Sequence, residues 1–490
     1  MTTEHEERLS KLNAWRASGG AYPVDFRPTA EAAELHTRYP DLEPETSTGD
    51  AVSVAGRIMG MRNLGKLSFG VLQDRSGRIQ LFAEAGTLGD RLDEFADLDL
   101  GDLVGVSGEV ITTRKGELSV RVGEFQLLAK SLRPMPEKWH GLADVETRYR
   151  QRYLDLIANE DSRRVFHIRA GVVRELRRAF EDRGYVEVET PVLQAQAGGA
   201  LATPFITHHN ALSIDMYLRI ALELHLKRLI IGGIDKVFEI GRVFRNEGVS
   251  PQHNPEFTML ESYEAYADYH DIMALVEQTV AGVAEAVVGS AQIDYKGRAL
   301  DLAPPWRRAT FLELINDATG RQWATTMPVA DARQVAAELG VEVDLGGTAK
   351  VLEILFERFV EPELWEPTFV IDFPKEISPF ARDHRSEDGL VERFEGFIAG
   401  IEFCNAFTEL NDPEEQLRRL EAQAMARAEG DEEAHVLDLD FVHAMEYGMP
   451  PTGGLGIGVD RLAMILADVN TVREVILFPH MRPAAEDGGG

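Results

Sequence analysis

Two neighbouring strand-like segments carry side chains that are unusual for a protein core. The segments DKVFEIGRVFRNEG (235–248) and EFTMLESYEAYA (256–267) are separated by a short polar loop, which predicts an antiparallel hairpin with a long tip. Alternation along a strand places Arg245 and Glu247 on one face of the first segment. It places Phe257, Glu261 and Tyr263 on one face of the second. Such a face suits the floor of a ligand site, but a solvated face with two aromatic residues is an equally good interpretation of these residues.

Three further glutamates form a second candidate cluster. Glu395, Glu402 and Glu409 are spaced by seven residues within an apolar stretch. A helix would place them on one face, but the glycine, β-branched and aromatic residues between them predict a strand, where an odd spacing requires a bulge or a break. Carboxylates in apolar surroundings are costly unless cations accompany them. The cluster therefore favours a metal or ammonium site.

A run of alternating glycines precedes a candidate phosphate ligand. Gly454, Gly456 and Gly458 lead to Arg461 at the start of an apolar helix. A dinucleotide-binding loop is excluded, because its second and third glycines are separated by two residues in a βαβ unit. Alternating glycines allow close approach of a backbone or a flat ligand, and Arg461 could reach a phosphate. Taken alone, these glycines are more often a tight packing joint between a strand and a helix.

Histidine and cysteine offer no metal centre. His208, His209 and His253 have no Cys or His partner at zinc spacing, so we assign them no metal role. Cys404 is the single cysteine of the chain, which excludes an internal disulfide and any site built from several thiolates.

Composition excludes several functional classes. The 490 residues exceed one core and predict two to three domains. The net charge of −31 argues against indiscriminate nucleic-acid binding, but residues 51–132 hold ten basic and eleven acidic residues, so an anionic partner is expected there. The charged amino terminus has no signal-peptide pattern and no apolar run is long enough to cross a bilayer, which predicts a cytoplasmic protein without a membrane segment.

The pattern of elements divides the chain into five parts. Residues 1–50 read as a helical lead-in, and residues 51–132 as five short strands with one helical interruption, which predicts an oligonucleotide-binding (OB) barrel. Two prolines mark a linker at 133–147. The segment 148–483 alternates helices and strands, with helices and loops from about 270 to 385, and 484–490 read as a disordered tail.

One helix in the fourth part has a clear buried face. Five apolar residues recur at spacings of three and four, Ser162 is a candidate cap, and Gly184 is a candidate stop. The apolar residues are Val165, Ile168, Val172, Leu176 and Phe180.

Several segments resemble one enzyme family. FRNEGVSPQHNPEFTMLE resembles motif 2 of the class II aminoacyl-tRNA synthetases, GLGIGVDR resembles motif 3, and the helix ending in GYVEVETPVL resembles motif 1. A barrel before the catalytic core is similar to the subgroup that serves Asp, Asn and Lys. The segments GGALATPFITHHNAL, LKRLIIGG, EAYADY and ILFPHMRP resemble sequences of the bacterial lysyl-tRNA synthetases, and the resemblance covers roughly Ser53 to Pro483.

The resemblance implies a fold and an activity. The fold is α+β, with an N-terminal five-stranded OB-type barrel followed by a class II core whose mainly antiparallel sheet is flanked by helices. The activity is ATP-dependent formation of lysyl-adenylate and pyrophosphate, then transfer of lysine to the 3′-terminal ribose of tRNA(Lys). Mg²⁺ as a cofactor and a homodimer packed through the motif 1 helix are implied in the same way.

The resemblance also implies roles for individual residues. An acid-walled pocket would bind the ε-ammonium of lysine through Glu261, Tyr263 and Glu409, which offer two carboxylates and a phenol rather than cations. Glu223 would hold the α-amino end of the ligand. The lysine-binding residues would be Gly199, Glu223, Glu261, Tyr263, Asn405, Phe407 and Glu409. ATP would contact Arg245, Glu247, His253, Asn254, Phe257 and Arg461, with Arg245 and Arg461 stabilising phosphate charge in catalysis. Glu395 and Glu402 would ligate Mg²⁺, a hard cation that prefers oxygen ligands.

Within the barrel, Arg62, Phe69 and Gln80 match positions that contact the anticodon in related synthetases. Phe69 could stack on an unpaired base, although a place in the barrel core is commoner for such a residue. Two positions depart from the family pattern: Leu222 replaces a proline found in many relatives, and His225 replaces a frequent tyrosine.

Two other functions use the same scaffold. A non-catalytic RNA-binding or regulatory protein would be expected to lack Arg245, Arg461 or the glutamates, and all are present. Transfer of the amino acid to a protein or lipid usually goes with loss of the barrel or gain of a membrane segment. The sequence therefore favours tRNA as the acceptor.

Overall fold

In the computed structural model the chain forms two compact units, residues Met1–Gly141 and Leu142–Gly490. The structure describes residues 3–20, 22–135, 142, 144–196, 198–200, 202–344, 346–428 and 436–482. The predicted tail at 484–490 and the middle of the predicted linker at 133–147 lie outside the described residues. Within the described ranges, no helix is both long and apolar enough to span a membrane.

The amino-terminal unit is a closed five-stranded barrel preceded by two helices. Its elements are α1 (Thr3–Ala17), α2 (Ala32–Arg38), β1 (Ser47–Asn63), β2 (Leu67–Gln73), β3 (Arg78–Glu84), α3 (Ala85–Leu88), α4 (Arg91–Ala96), β4 (Leu103–Thr112) and β5 (Leu118–Ala129). The strand order is β1-β2-β3-β5-β4, and the parallel pair β3–β5 completes the ring. The predicted OB-type barrel is confirmed, and α3 and α4 occupy the predicted helical interruption.

Period-two alternation sorts the barrel residues into two faces. In β3, Ile79 and Leu81 are buried in the barrel core, whereas Gln80 and Phe82, which alternate with them, are only partly buried. Phe95 of α4 is fully buried and packs against the same core. The outward set is therefore available for a ligand.

The second unit is built on an eight-stranded sheet of order β14-β15-β16-β17-β18-β11-β10-β6. Its strands and those of two small sheets are β6 (Val186–Glu187), β7 (Leu193–Gln194), β8 (Ile206–His209), β9 (Ile214–Leu218), β10 (Lys236–Phe244), β11 (Glu256–Ala265), β12 (Gln292–Tyr295), β13 (Arg298–Asp301), β14 (Arg307–Thr310), β15 (Thr368–Pro374), β16 (Leu390–Ile398), β17 (Ile401–Thr408) and β18 (Thr452–Gly458). Only the two outermost pairs of the large sheet are parallel. The predicted mainly antiparallel sheet is confirmed.

Helices pack against this sheet, three of them on one face of its central strands. The helices of the unit are α5 (Val145–Arg150), α6 (Arg152–Ala158), α7 (Glu160–Glu181), α8 (Glu223–Ile231), α9 (Tyr269–Val288), α10 (Phe311–Thr319), α11 (Val329–Glu338), α12 (Thr348–Phe359), α13 (Pro413–Ala428), α14 (Leu439–Met445), α15 (Val459–Ala467) and α16 (Val472–Val475). Apolar residues of α7, α9 and α15 pack against Leu260 of β11, Ala406 of β17 and Ile457 of β18. Alternate residues of the same three strands point away from the helices, and those residues form the floor of a cavity described below.

Helix α7 confirms one part of its prediction and corrects another. All five predicted apolar residues are buried, and Gly184 follows the helix with φ +81°, a conformation that favours glycine. Ser162 is not the cap, because the helix begins at Glu160 and the Ser162 hydroxyl donates to Asp155 Oδ1 at 2.9 Å. The sequence could not reveal this alternative acceptor, which lies in the preceding helix.

The region from 270 to 385 is not only helical. Besides α9 to α12 it contains the hairpin β12–β13 and two strands of the main sheet, β14 and β15. β14 has only four residues, and β15 is mostly apolar rather than alternating because it is buried on both faces. The predicted insertion of helices and loops is therefore wrong in this part.

Candidate functional site

The floor of the cavity is formed by β17, β18 and β11, which lie side by side in the main sheet. The cavity has a volume of about 550 Å³ and is open to solvent at one end. Glu261 and Tyr263 of β11 line it, as do Asn405 and Phe407 of β17. The cavity thus contains residues from the two hairpins that sequence analysis treated separately.

The glycines of β18 create the depth of this floor. Gly454 pairs with Tyr263 on one side and Phe407 on the other, and Gly456 pairs with Glu261 and Asn405. A Cβ atom at Gly454 would lie 1.8 Å from Glu409 Oε1 and 2.7 Å from the Tyr263 ring. The alternation of glycine therefore keeps space open above the sheet, which supports the ligand interpretation over a packing joint.

One end of the cavity is acidic and buried. Glu223, at the start of α8, and Glu261 and Glu409 are each less than 10% exposed. Glu409 Oε1 has no hydrogen-bond partner among the described residues. An unpaired buried carboxylate oxygen is costly, so this atom is a candidate acceptor for a cationic ligand.

Glu261 is held in place by two donors. Its Oε1 accepts from the Leu222 backbone N–H at 2.9 Å, and its Oε2 accepts from the Tyr263 hydroxyl at 3.1 Å. Burial, followed by the negative charge of Glu223, raises the pKa of Glu261 to about 7. A proline at position 222 could not supply the first bond, so this departure from the family pattern adds a donor to the site.

Two arginines also line the cavity. Arg245 follows β10, and its guanidinium lies 5.2 Å from the centre of the Phe257 ring. Arg461, in the first turn of α15, donates from Nη1 to Glu402 Oε2 at 2.8 Å and to the Glu402 backbone oxygen at 2.6 Å. Two guanidinium groups and three carboxylates in one cavity fit a ligand that carries both negative and positive charge.

The loop between β10 and β11 supplies further lining residues. His253 Nε2 lies 3.3 Å from Arg461 Nη2, and burial together with the charge of Arg461 lowers the pKa of His253. A neutral imidazole that accepts from Arg461 fits this contact. Asn254 lines the cavity, but its amide donates to the Glu256 backbone oxygen at 2.6 Å and accepts from the His480 N–H at 3.1 Å. Its side chain therefore supports the loop, while Glu247 is exposed at the cavity edge.

The odd spacing of the three glutamates has a structural cause. Strands β16 and β17 are joined by a two-residue turn in which Ala399 and Gly400 both have positive φ, and the register shifts between Gly396 and Phe397. The predicted requirement for a bulge or a break is confirmed. Glu395 and Glu402 lie on opposite sides of this turn, whereas Glu409 follows β17 and belongs to the acidic end.

Glu395 and Glu402 are close enough to influence each other. Burial raises the pKa of Glu395 to about 8, the charge of Arg393 opposes that rise, and Glu402 adds to it. Arg393 Nη2 donates to Glu395 Oε1 at 2.6 Å. No group of three or more His, Cys, Asp or Glu side chains suited to a metal ion occurs among the described residues. Two neighbouring carboxylates in a partly buried position repel each other. A hard divalent cation bound between them would remove this repulsion, with phosphate and water as its other ligands.

Two residues of the site were missed by sequence analysis. Lys227 lies in α8, four residues after Glu223, and forms ion pairs with Glu223 and Glu409. Arg393 donates to Asn405 Oδ1 at 3.0 Å as well as to Glu395. The i,i+4 spacing of Glu223 and Lys227 was a visible signal for the first, but no local pattern pointed to the second.

The three barrel residues lie on the outward face. Arg62 of β1 pairs with Phe69 of β2, and Phe69 pairs with Phe82 of β3. The Phe69 and Phe82 ring centres are 5.4 Å apart, and Gln80 accepts from the Ser119 hydroxyl at 2.9 Å. Phe69 lies outside the barrel core. This arrangement supports the base-stacking interpretation over the core interpretation.

Comparisons with known proteins cover both units. A family model described as tRNA synthetases class II (D, K and N) matches residues 144–482, and one described as OB-fold nucleic acid binding domain matches residues 52–128. Among curated relatives, the Lysine–tRNA ligase of Moorella thermoacetica is 52% identical over 98% of both chains. That of Synechococcus sp. is 53% identical over 99% of this chain and 100% of its own length. The protein of the same name from Carboxydothermus hydrogenoformans is 51% identical over 98% and 99%.

Proposed function

Because this chain belongs to the class II tRNA synthetases of the D, K and N group, and within them to the lysine–tRNA ligases, we propose that its acid-lined cavity activates L-lysine. The reaction is that of an ATP-dependent aminoacyl-tRNA ligase: L-lysine and ATP give lysyl-adenylate and pyrophosphate, and lysine then passes to the 3′-terminal ribose of tRNA(Lys). The observation that carries the proposed site is the buried Glu409 carboxylate, which has an unpaired oxygen in the cavity wall.

Lysine would lie along the floor with its side chain towards Glu409. The ε-ammonium would donate to Glu409 and to the Tyr263 hydroxyl. Glu261, which we expected from the sequence to bind the ε-ammonium, would instead lie with Glu223 beside the α-ammonium. Phe407, Asn405 and Gly199 would line the stem of the ligand. Gly199 has φ +90°, and a Cβ there would lie 3.2 Å from the Glu223 Cβ, so glycine keeps this wall close to the ligand.

ATP would occupy the end of the cavity that holds the arginines. Phe257 offers a flat face for adenine, and Glu247, His253 and the loop supported by Asn254 surround it. Arg245 would contact both the lysine carboxylate and the α-phosphate, and Arg461 the γ-phosphate. A guanidinium can bind two oxygens at once, which fixes their relative positions as well as their charge.

The chemistry needs alignment rather than a general base. The carboxylate of lysine is ionised at neutral pH and attacks the α-phosphorus in line with the departing pyrophosphate, while Arg245 stabilises the charge on the phosphoryl oxygens. The ribose hydroxyl of tRNA then attacks the carbonyl carbon of the mixed anhydride, and AMP leaves. The catalytic contribution of the protein is therefore geometric and electrostatic.

Glu395 and Glu402 are the residues that would hold Mg²⁺. Bound there, Mg²⁺ would neutralise negative charge on the phosphates of ATP. The support for this assignment is the pair of carboxylates on β16 and β17, one of which has its pKa raised to about 8 by burial.

A homodimer is proposed on the basis of exposed apolar residues in one stretch of the chain. Six large apolar residues between positions 186 and 214 are 40–65% exposed. They are Val186, Val192, Leu193, Ile206, Leu212 and Ile214. They follow directly on helix α7, the motif 1 helix, and exposed apolar residues of this kind are typical of protein interfaces. A second copy of this chain is the proposed occupant, and the cytoplasm, which holds tRNA and ATP, is the proposed location.

The barrel would bind the anticodon through Arg62, Phe69 and Gln80. Replacing Phe69 by alanine should lower kcat/KM for tRNA in aminoacylation by about 10-fold or more, since stacking of a base on an aromatic ring contributes on the order of 1–3 kcal/mol. Pyrophosphate exchange should not change, because that half-reaction proceeds without tRNA. An equal loss in both assays would contradict the assignment of Phe69 to tRNA binding.

Pyrophosphate exchange with each amino acid in turn tests the proposed function. Exchange should depend on lysine and should be lost in Glu261→Gln, because an amide cannot neutralise the α-ammonium of lysine. Glu285→Gln, an exposed change on α9, is the matched control and should retain exchange. Exchange that depends on another amino acid would show that the cavity is not specific for lysine. Exchange with no amino acid would favour a non-catalytic RNA-binding protein.

A further inference from the structure

A lysine of the protein itself lies at the acidic end of the cavity. The Lys227 side chain is fully buried in α8, and its Nζ donates to Glu223 Oε1 at 2.5 Å. The same ammonium forms an ion pair with Glu409 Oε2. Both carboxylates therefore already share one cation before any substrate binds.

Aromatic rings complete the surroundings of this ammonium. Lys227 Nζ lies 4.8 Å from the centre of the Phe380 ring and 5.4 Å from that of Phe407. Tyr263 and Phe441 are each 5.9 Å away. The faces of aromatic rings attract cations, most strongly where water is excluded. These surroundings stabilise the charged ammonium and separate it from solvent.

Lys227 lies behind the cavity wall rather than in the cavity. Glu223, Glu409 and Tyr263 line the cavity, and Lys227 is not among the described residues that do so. Because its side chain is 0% exposed and enclosed by α8, by carboxylates and by rings, it can stay in place when a ligand enters. Glu409 Oε2 would then remain with Lys227, and Oε1 would face the ligand.

The charges at this end match lysine only if Lys227 is counted. Three carboxylates, Glu223, Glu261 and Glu409, against one ammonium leave two negative charges, and L-lysine carries two ammonium groups. The titratable groups that face Glu409 are Glu223 and Lys227 of α8 and Glu261 and Tyr263 of β11. Burial raises the pKa of Glu409, the charge of Lys227 opposes that rise, and the charges of Glu223 and Glu261 add to it.

We propose that Lys227 is a positioning residue that determines specificity for lysine: it is the permanent counter-ion that keeps Glu223 and Glu409 ionised and directs the free oxygen of Glu409 towards the ε-ammonium of the substrate. This inference rests on the proposed function, because it assumes that lysine binds in this cavity. Without Lys227, the carboxylates would take up a proton, and a protonated carboxyl is a poor partner for an ammonium group.

The test is the pH dependence of lysine-dependent pyrophosphate exchange in Lys227→Met and Lys227→Arg. In Lys227→Met the KM for lysine should rise about 30-fold or more, since losing one member of a buried charge pair is a large effect. The KM for ATP should stay within about 3-fold, because the arginine end of the cavity is unaltered. The acid limb of kcat/KM for lysine should move to higher pH, since the pKa of Glu409 rises when the neighbouring cation is removed. Lys227→Arg should keep the limb in place.

Three outcomes separate this inference from its alternatives. A folded Lys227→Met with the lysine KM and acid limb of the wild type overturns it, while wild-type exchange with lysine leaves the proposed function intact. Lower thermal stability with equal loss in lysine and ATP parameters and no shift of the limb indicates a purely structural ion pair and also overturns it. If Lys227→Met does not bind ATP in calorimetry, Lys227→Gln and Lys227→Arg decide, and identical acid limbs in these two overturn the inference. Lys236→Met, a surface lysine paired with Glu264, is the matched control.

Discussion

Replacing Arg245 by lysine should lower kcat/KM for lysine in pyrophosphate exchange about 10³-fold, because a preorganised donor aimed at developing charge contributes on this scale. The variant keeps the positive charge but loses the planar fork that can hold the lysine carboxylate and the α-phosphate together. The loss should appear mainly in kcat at saturating substrates, since alignment is a property of the transition state. Exchange measured over a range of lysine and ATP concentrations separates the two parameters.

Arg242 offers a matched control for this experiment. It lies in the same strand region three residues earlier, and its side chain is exposed. Arg242→Lys should retain wild-type exchange. If Arg245→Lys lost less than about 10-fold, the proposal that Arg245 spans both reacting groups would be wrong, because a simple point charge would then suffice.

Replacing Glu409 by glutamine should lower kcat/KM for lysine about 10²-fold or more, because a buried charged hydrogen-bond partner is removed. The Glu409 side chain is 0% exposed, so water cannot replace it. The structure pairs Lys227 with two carboxylates, Glu223 and Glu409. The substitution removes the second of these ion pairs. In the same exchange assay, the lower kcat/KM should result from a higher KM for lysine, and the KM for ATP should not change.

Glu414→Gln is the control for Glu409→Gln. Glu414 is exposed in the first turn of α13, five residues further along the chain. A wild-type KM for lysine in Glu409→Gln would show that the ε-ammonium is bound elsewhere. Loss of ATP binding together with lysine binding would instead indicate a collapsed cavity.

Residue types that repeat along one strand were the best guide to the site. Alternation placed Glu261 and Tyr263 on one face of β11, and the structure has both in the cavity wall. The glycines of β18 were harder to interpret, because their effect depends on the neighbouring strands: Gly454 matters because Tyr263 and Phe407 flank it.

Features that depend on distant partners were not accessible from local patterns. Ser162 has the side chain of a helix cap, but Asp155 accepts its hydroxyl hydrogen bond. Strand β14 has four residues and β15 lacks alternation, so the sequence around them predicted loops between helices. Lys227 was missed because one of its two carboxylate partners, Glu409, lies 182 positions later in the sequence.

The tight connection at Ala399 and Gly400 also limits how the length of this chain can vary. The β16–β17 hairpin that it closes carries Glu395 and Glu402, the proposed Mg²⁺ ligands, and Asn405 and Phe407, which we propose line the lysine site. An insertion or deletion of one residue at its tip would slide one strand by one position, and every side chain on that strand would exchange sides. The proposed Mg²⁺ site and the proposed lysine site would both be lost, although no side chain of either site had been substituted. We therefore expect a loop or tag inserted at this tip to abolish activity, just as substitution of the glutamates would.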